Sequence, residues 1–307
     1  MGSSDAAGYR PLLFSIAYGM TGSVGDAEDL VQDAFLGLAR AERSGTVVTD
    51  PKAYLTTTVT RLGINHLKSA RVRREAYVGQ WLPEPVVTTA ERPGPAEHAE
   101  LADTLSMAFL VLLEALSPVE RAVFTLREAF GYGYPQIART VGRSEANCRQ
   151  VLTRARRRLA ASQGGPVPPA PARRAQAEEL ARRFFEVAGG GDPDALLGML
   201  APDVVLQGDG GGRARALARS LAGPRRVARL LVGGLRRVRR LGARLVPARV
   251  NGRPGAVVYD AGQRVLGVIE LDLGPDGAVR AVHAVSNPDK LAHLGPVSDL
   301  GLLPQAR

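Results

Sequence analysis

Cysteine is nearly missing from this 307-residue chain, where Cys148 stands alone. A single thiol excludes an intramolecular disulfide and any cysteine-rich zinc site. Lysine is almost as scarce: it occurs only at Lys52, Lys68 and Lys290, so arginine fills 37 of the 40 basic positions. Aromatic residues make up only 5% of the chain, with one tryptophan, Trp81. No apolar run is long enough to span a bilayer, and the N-terminus lacks the basic-then-apolar pattern of a secretory signal. These absences predict a cytoplasmic protein with no membrane-spanning segment and no metal or cofactor site of its own.

What the chain does have is positive charge. Lys and Arg outnumber Asp and Glu by 40 to 30, a formal net charge of +10, which favours a polyanionic partner, nucleic acid or an anionic membrane surface. The arginine bias, together with abundant Ala, Gly and Pro, has the look of a GC-rich genome, which dilutes the meaning of any single arginine. The 45% hydrophobic and 23% charged residues are those of a globular protein, and the length predicts two or three domains.

The stretch from Ser117 to Ala160 reads as a helix-turn-helix. Ser117-Pro118-Val119-Glu120 has the form of a capping box with proline at the first helical position, and that helix is expected to run to about Phe130 and stop at Gly131. A short helix follows from Pro135 to Val141, then a turn at Gly142, then Ser144 as the cap of a long helix. On that helix Cys148, Val151, Leu152, Ala155 and Leu159 recur at helical spacing and form an apolar face. Asn147, Gln150 and Arg154 lie on another face, with Arg149, Thr153 and Arg157 beside them. Amides and guanidinium groups on an exposed face suit base edges in a DNA major groove. Arg143, Arg156 and Arg158 fall nearer to phosphates. A solvated arginine-rich helix is the plainer alternative.

Upstream, Ala27, Leu30, Val31, Ala34 and Leu38 make an apolar helical stripe. Asp26, Asp29 and Asp33 line the opposite side, with Glu28 and Gln32 adjoining. Like charges at this spacing oppose helix formation by roughly 0.2–0.5 kcal/mol per pair. The early acids suit the positive end of a helix dipole, but Asp33 does not, so the stripe reads as a docking face for a basic protein. From Pro51 to about Ala76 a second helix can turn Tyr54, Leu55, Val59, Leu62 and Leu67 inward. Its outer surface carries Arg61, Asn65, His66, Lys68, Arg71, Arg73 and Arg74.

Two breaks divide the chain: a soft one from Gln80 to Pro95, and the proline-rich connector from Gly164 to Pro171, which is not expected to be helical. Beyond it the pattern is α+β. A helix is expected over Ala177–Ala188, a strand at Val204–Leu206, and helix over Ala214–Val238 with a break at Gly223-Pro224. Strands are expected over Arg244–Val250, Gly255–Asp260, Arg264–Leu273 and Val279–Ser286, forming an antiparallel sheet around helices. Asn251-Gly252 signals a hairpin. On the last strand Val279, Ala281, His283 and Val285 share one face.

This succession of motifs resembles the bacterial RNA polymerase sigma factors of the extracytoplasmic-function (ECF) type, over roughly Tyr9 to Leu294. Trp81-Leu82-Pro83-Glu84-Pro85, Asp209-Gly210-Gly211-Gly212-Arg213 and Asn287-Pro288-Asp289-Lys290-Leu291 resemble the marks of its SigJ-like subgroup, in which a SnoaL-like domain is fused at the C-terminus. The resemblance implies a multidomain fold: two all-α sigma domains, the second a helix-turn-helix, followed by an α+β, cone-shaped SnoaL-like domain. The corresponding boundaries are 9–78 for region 2, 79–95 for the linker, 96–163 for region 4, 164–176 for the proline-rich linker, 177–294 for the C-terminal domain and 295–307 for a tail.

The resemblance also implies roles. Asp26, Glu28, Asp29, Gln32 and Asp33 would dock on core RNA polymerase, whose β′ and β subunits are the expected partners. Arg61, Asn65, Lys68, Arg71, Arg73 and Arg74 would serve the promoter −10 element. Arg143, Asn147, Arg149, Gln150, Thr153, Arg154, Arg156 and Arg157 would serve the −35 element. The three subgroup motifs would be interdomain regulatory contacts, with His283 a candidate for the domain's cavity and a small-molecule ligand there left open. Asn65-His66 departs from the family's usual acidic-then-basic pair, and Arg213 replaces its usual lysine. The expected function is a non-enzymatic initiation factor modulated in cis by its C-terminal domain. The alternatives are a ligand-sensing helix-turn-helix regulator and a SnoaL-like enzyme with a DNA-binding appendage.

Overall fold

The computed structural model describes residues 6–75, 77–88, 105–160 and 171–302. They form two compact units. One gathers residues 6–75, 105 and 109–160; the other gathers 77–88, 106–108 and 171–302.

The first unit is helical. Helix α1 is Arg10–Thr21, α2 Val24–Arg43 and α3 Pro51–Glu75; then come α4 Met107–Leu113, α5 Pro118–Phe124, α6 Tyr134–Val141 and α7 Glu145–Ala160. Gly22, with φ of 67°, ends α1, and the Ser23 side chain accepts from the Asp26 amide to start α2. The stripe Ala27, Leu30, Val31, Ala34 and Leu38 is buried, as its spacing requires. Ser117 and Glu120 form the expected reciprocal capping box. The helix they open does not continue unbroken to Phe130: regular α structure ends at Phe124, and a π turn over Thr125–Ala129 follows, with the Phe130 amide reaching back five residues to the Thr125 carbonyl. Met20, Ile64, Leu67 and Ala122 pack together, which joins α1 and α3 to α5. Beside them the buried Arg121 donates to the Gly19 carbonyl at 3.0 Å and pairs with Glu114 at 2.5 Å.

The second unit is a seven-stranded mixed sheet with helices on one face. Its strands are β1 Val87–Thr88, β2 Leu200–Asp209, β3 Leu221–Ala222, β4 Arg244–Val250, β5 Arg253–Tyr259, β6 Val265–Leu273 and β7 Val279–Val285, in the spatial order β1-β4-β5-β6-β7-β2-β3. Helices α8 Pro171–Gly190, α9 Pro193–Leu197 and α10 Pro224–Arg240 supply the layer whose Phe184, Leu196, Val227 and Leu231 share a core with Ala256, Val258, Ile269, Leu271 and Val282 of the sheet. Helix α11 spans Pro288–Leu291. Asn251 and Gly252 both have positive φ, 48° and 72°, the two left-handed residues that a tight β4–β5 hairpin needs.

Four expectations are corrected here. The sheet is not purely antiparallel, because β2 runs parallel to β7. Ala214–Gly223 is not helical; Leu221–Ala222 pairs with β2, and helix begins only at Pro224, where proline suits the first turn. For the same reason α8 starts at Pro171, inside the expected connector. The 295–307 tail is tied down as far as Leu302: Ser298 donates to Asp260, Arg264 pairs with Asp299, and Leu302 bridges Ala214. No helix among the described residues is long and apolar enough to cross a membrane.

Candidate functional site

The acidic side of α2 carries Glu28, Asp29, Gln32 and Asp33, all exposed. Asp26 differs from them. Its carboxylate lies 3.3 Å from His66 Nε2 on α3, so it faces a neighbouring helix and is not a free member of the stripe.

On α3, Asn65 and Lys68 are exposed, while His66 is half-buried against Asp26. Arg61 is committed elsewhere. Its guanidinium donates to the Thr140 carbonyl and to the Arg139 carbonyl, each at 2.9 Å. These are orphan acceptors at the C-terminal end of α6, where cations are favoured. Thr57 meets Thr140 and Thr56 meets Tyr132, both at 3.3 Å. The Arg61 side chain therefore joins the two helical parts within the first unit and is not presented as a free DNA contact. The side chains of Arg71, Arg73 and Arg74 lie outside the described residues.

The helix-turn-helix is built as its sequence dictates. Gly142 adopts φ of 67° after α6, and Ser144 Oγ accepts from the Asn147 amide at 3.2 Å to start α7. Cys148, Val151, Leu152 and Ala155 are buried, and burial raises the Cys148 thiol pKa. Arg143, Arg149, Gln150, Thr153, Arg154, Arg156 and Arg157 are exposed, and Asn147 is half-buried. Arg149 is held in place: it pairs with Glu145 at 3.1 Å and stacks 4.8 Å from the Tyr134 ring centre. Arg156 pairs with Glu128 at 2.8 Å, an exposed ion pair of small energy.

In the second unit the three separated motifs meet at one buried pair. Asp209 ends β2 and is fully buried; its Oδ2 accepts from Lys290 Nζ at 2.7 Å and from the Leu82 amide at 2.8 Å. Its Oδ1 accepts from the Tyr77 hydroxyl at 2.5 Å and the Gly211 amide at 3.0 Å. Burial, and then the Asp209 carboxylate, raise the Tyr77 pKa far above its ordinary value, so the phenol stays a donor. Lys290 also donates to the Leu82 carbonyl, and its ammonium sits 4.2 Å from the Trp81 ring centre and 4.9 Å from that of Tyr77. Asn287 caps α11 and donates to the Tyr77 hydroxyl at 2.8 Å. Every charge here is satisfied several times over, as a buried ion pair requires.

Glycine has a steric reason in this cluster. A Cβ on Gly211, at φ of 59°, would lie 2.3 Å from Asn287 Nδ2, and one on Gly210 would lie 2.2 Å from the Ala214 carbonyl oxygen. Arg213 pairs with Asp289 at the exposed rim. Further along the linker, Asn251 exchanges two hydrogen bonds with Val86, His293 meets the Pro85 carbonyl at 2.9 Å, and Val87–Thr88 pairs with β4 as strand β1. Tyr77 and His293 were not singled out in the sequence, and Asn251 was read there only as a hairpin residue, not as a partner of Val86. Their partners are far away along the chain, and nothing local marks them.

His283 is buried opposite Glu270 in the β6–β7 register, with Nδ1 3.9 Å from Glu270 Oε2. Its neighbour Val282 faces the helix-packed core, so His283 faces the other side of the sheet, away from the helices. Val279 joins the helix-packed core because the register shifts between Asp272 and Leu273. Burial lowers the His283 pKa to about 4, so the imidazole is neutral near pH 7, and burial raises that of Glu270 well above the usual carboxylate value. No group of three or more metal-ligating side chains occurs among the described residues.

Residues 6–73 match the family Sigma-70 region 2, and residues 106–159 match Sigma-70, region 4. The ECF RNA polymerase sigma factor SigJ of Mycobacterium tuberculosis is 37% identical over 302 residues, covering 94% of this chain and 92% of that protein. The chain belongs to the ECF RNA polymerase sigma factors. The probable ECF sigma factor SigI of the same organism is 32% identical over 286 residues, 92% of each chain. The crystal structure of M. tuberculosis SigJ superposes with a TM-score of 0.74 at 34% identity, covering 95% of this chain and 98% of that one, so the C-terminal α+β domain is part of the shared architecture. As an ECF sigma factor, the chain joins core RNA polymerase and directs transcription initiation at promoter DNA.

Proposed function

We propose that this sigma factor docks on core polymerase through Glu28, Asp29, Gln32 and Asp33, reads the −35 element with α7, and is governed in cis by the C-terminal domain's hold on the linker. The observation that carries the docking assignment is the row of exposed carboxylates on α2, which has no ion pair beyond the one at Asp26 among the described residues. In a chain of net charge +10 this face is complementary to a basic surface, and the clamp helices of the polymerase β′ subunit are the surface that the family resemblance names.

On α7 the reading face is Asn147, Arg149, Gln150, Thr153 and Arg154, with Arg143 and Arg157 at the phosphates. Arg149 is stacked on Tyr134 before any base arrives, which lowers the ordering cost of a bidentate contact. For the −10 element, Asn65 and Lys68 are the exposed candidates, and Arg61 becomes available only when it leaves the Thr140 and Arg139 carbonyls.

The Tyr77–Asp209–Lys290–Trp81 cluster is the regulatory device: it fixes the segment joining the two promoter-reading parts onto the C-terminal domain. A linker so fixed restrains the separation those parts need to span a promoter, and releasing it relieves the restraint. Docking is tested by capturing core polymerase on the immobilised full chain. Asp29→Lys/Asp33→Lys is expected to abolish capture at an unchanged circular dichroism spectrum; undiminished capture removes the assignment.

A further inference from the structure

Helix α10 carries seven arginines and no acidic residue along its 17 positions. Val227, Ala228, Leu231, Val232 and Leu235 bury one face, and all seven arginines are exposed on the other. Several arginines elsewhere in the chain face carboxylates, as Arg121, Arg149, Arg156, Arg182, Arg213 and Arg264 do. On α10 no arginine forms an ion pair with any described residue. Arg239 alone is drawn aside, donating to the Gly189 carbonyl at the end of α8.

At 100° per residue, Arg225, Arg226, Arg229, Arg236, Arg237 and Arg240 fall within a third of the helix circumference. In the middle of that arc sits Gly233, followed by Gly234. Glycine is, after proline, the least favourable residue inside a helix. Neither glycine has a packing reason, since a Cβ on either would meet nothing within 4 Å. The exposed face thus has two arginine clusters flanking a bare stretch of backbone, where a polymer can approach closely. From Arg226 to Arg240 the stripe is about 21 Å long at 1.5 Å per residue, which matches about six steps of a DNA strand at 3.4 Å each.

We propose that the arginine face of α10 is a sequence-independent docking surface for the phosphate backbone of duplex DNA, held by the C-terminal domain and separate from the base-reading helix α7. Guanidinium forks match phosphate oxygens, and the absence of any carboxylate on the helix removes local competition for them. The surface adds affinity without adding sequence preference. It deepens the promoter-binding reading given above but does not depend on which residues of α7 touch bases.

The test is fluorescence anisotropy of the full chain on a duplex of scrambled sequence, across a salt series. Replacing Arg226, Arg229, Arg237 and Arg240 by Gln is expected to reduce the slope of log K against log salt by roughly three to four units, since each lost phosphate contact removes about 0.9. Arg→Lys at the same four positions is expected to restore most of the slope. The pair Arg226→Gln/Arg237→Gln should lose about half as much, and provides the reading if the fourfold variant does not fold. Arg182→Gln/Arg249→Gln, with the same loss of net charge as that pair, should leave the slope nearly unchanged. Arg149→Ala/Gln150→Ala should retain the α10 contribution on scrambled duplex, which separates this surface from base reading. Unchanged slopes in the α10 variants overturn the proposal. So does a slope loss no larger than that of the control pair, or loss of binding to phosphatidylglycerol vesicles with duplex binding intact, which would assign the face to a membrane surface.

Discussion

Lys290 and Asp209 lie 81 positions apart in sequence and meet at 2.7 Å in a site closed to solvent, where the same ammonium also covers the Trp81 ring. The pair is the hub through which three short motifs become one structure. Removing one partner leaves the other as an uncompensated buried charge, a loss of about 3–5 kcal/mol. Asp209→Asn is therefore expected to lower the urea midpoint of the C-terminal domain by that order and to expose Trp81 to quencher. Asp209→Asn with Lys290→Met should cost less than the sum of the two single changes. Additive losses and an unaltered Trp81 emission would mean that the linker is held by other contacts.

Base reading by α7 makes a separable prediction. Arg149→Ala and Gln150→Ala should each cost about 1–3 kcal/mol on the cognate −35 duplex and relax discrimination at one base pair. Arg157→Ala should weaken all sequences alike. Competition binding against single-base variants of the −35 element is the check, and equal losses on cognate and scrambled duplex would misplace the reading face.

The buried pair on the far side of the sheet predicts a pH signature. His283 titrates near 4 in the fold against about 6.5 unfolded, so the unfolded chain binds its proton first, and this group's contribution to stability rises with pH from about 4 to 6.5. Glu270 has the opposite sign: burial raises its pKa in the fold, so the unfolded chain loses this proton first and the group's contribution falls as pH rises above about 4.5. The two oppose each other once pH passes about 4.5, inside the window over which His283 contributes. Glu270→Gln removes the falling part, so denaturation midpoints of that variant should rise more steeply with pH over this window than those of the parent chain. Equal slopes would show that Glu270 is ionised in the fold.

Much of the first unit was legible because its signals are local. Ser117 and Glu120 stand three residues apart, Gly142 and Ser144 bracket one turn, and the α2 stripe repeats at helical spacing. The hairpin at Asn251-Gly252 was legible for the same reason. What escaped depends on partners distant in the chain. Arg61 reads as a DNA contact until the Arg139 and Thr140 carbonyls are beside it, and Asp26 reads as a docking acid until His66 is. The parallel pairing of β2 with β7 and the two-residue strand β1 carry no periodicity of their own. In the regulatory cluster the motifs were visible as words, but the Tyr77 hydroxyl that links Asp209 to Asn287 was not.

The central claim is that this sigma factor initiates transcription under restraint by a linker fixed to its own C-terminal domain. Run-off transcription by core polymerase with limiting full-length chain tests it most directly. Tyr77→Phe/Trp81→Ala loosens the linker without stranding a buried charge, and the account predicts several-fold more transcript than with the parent chain at equal stability. Equal or reduced transcript from a folded variant would contradict it.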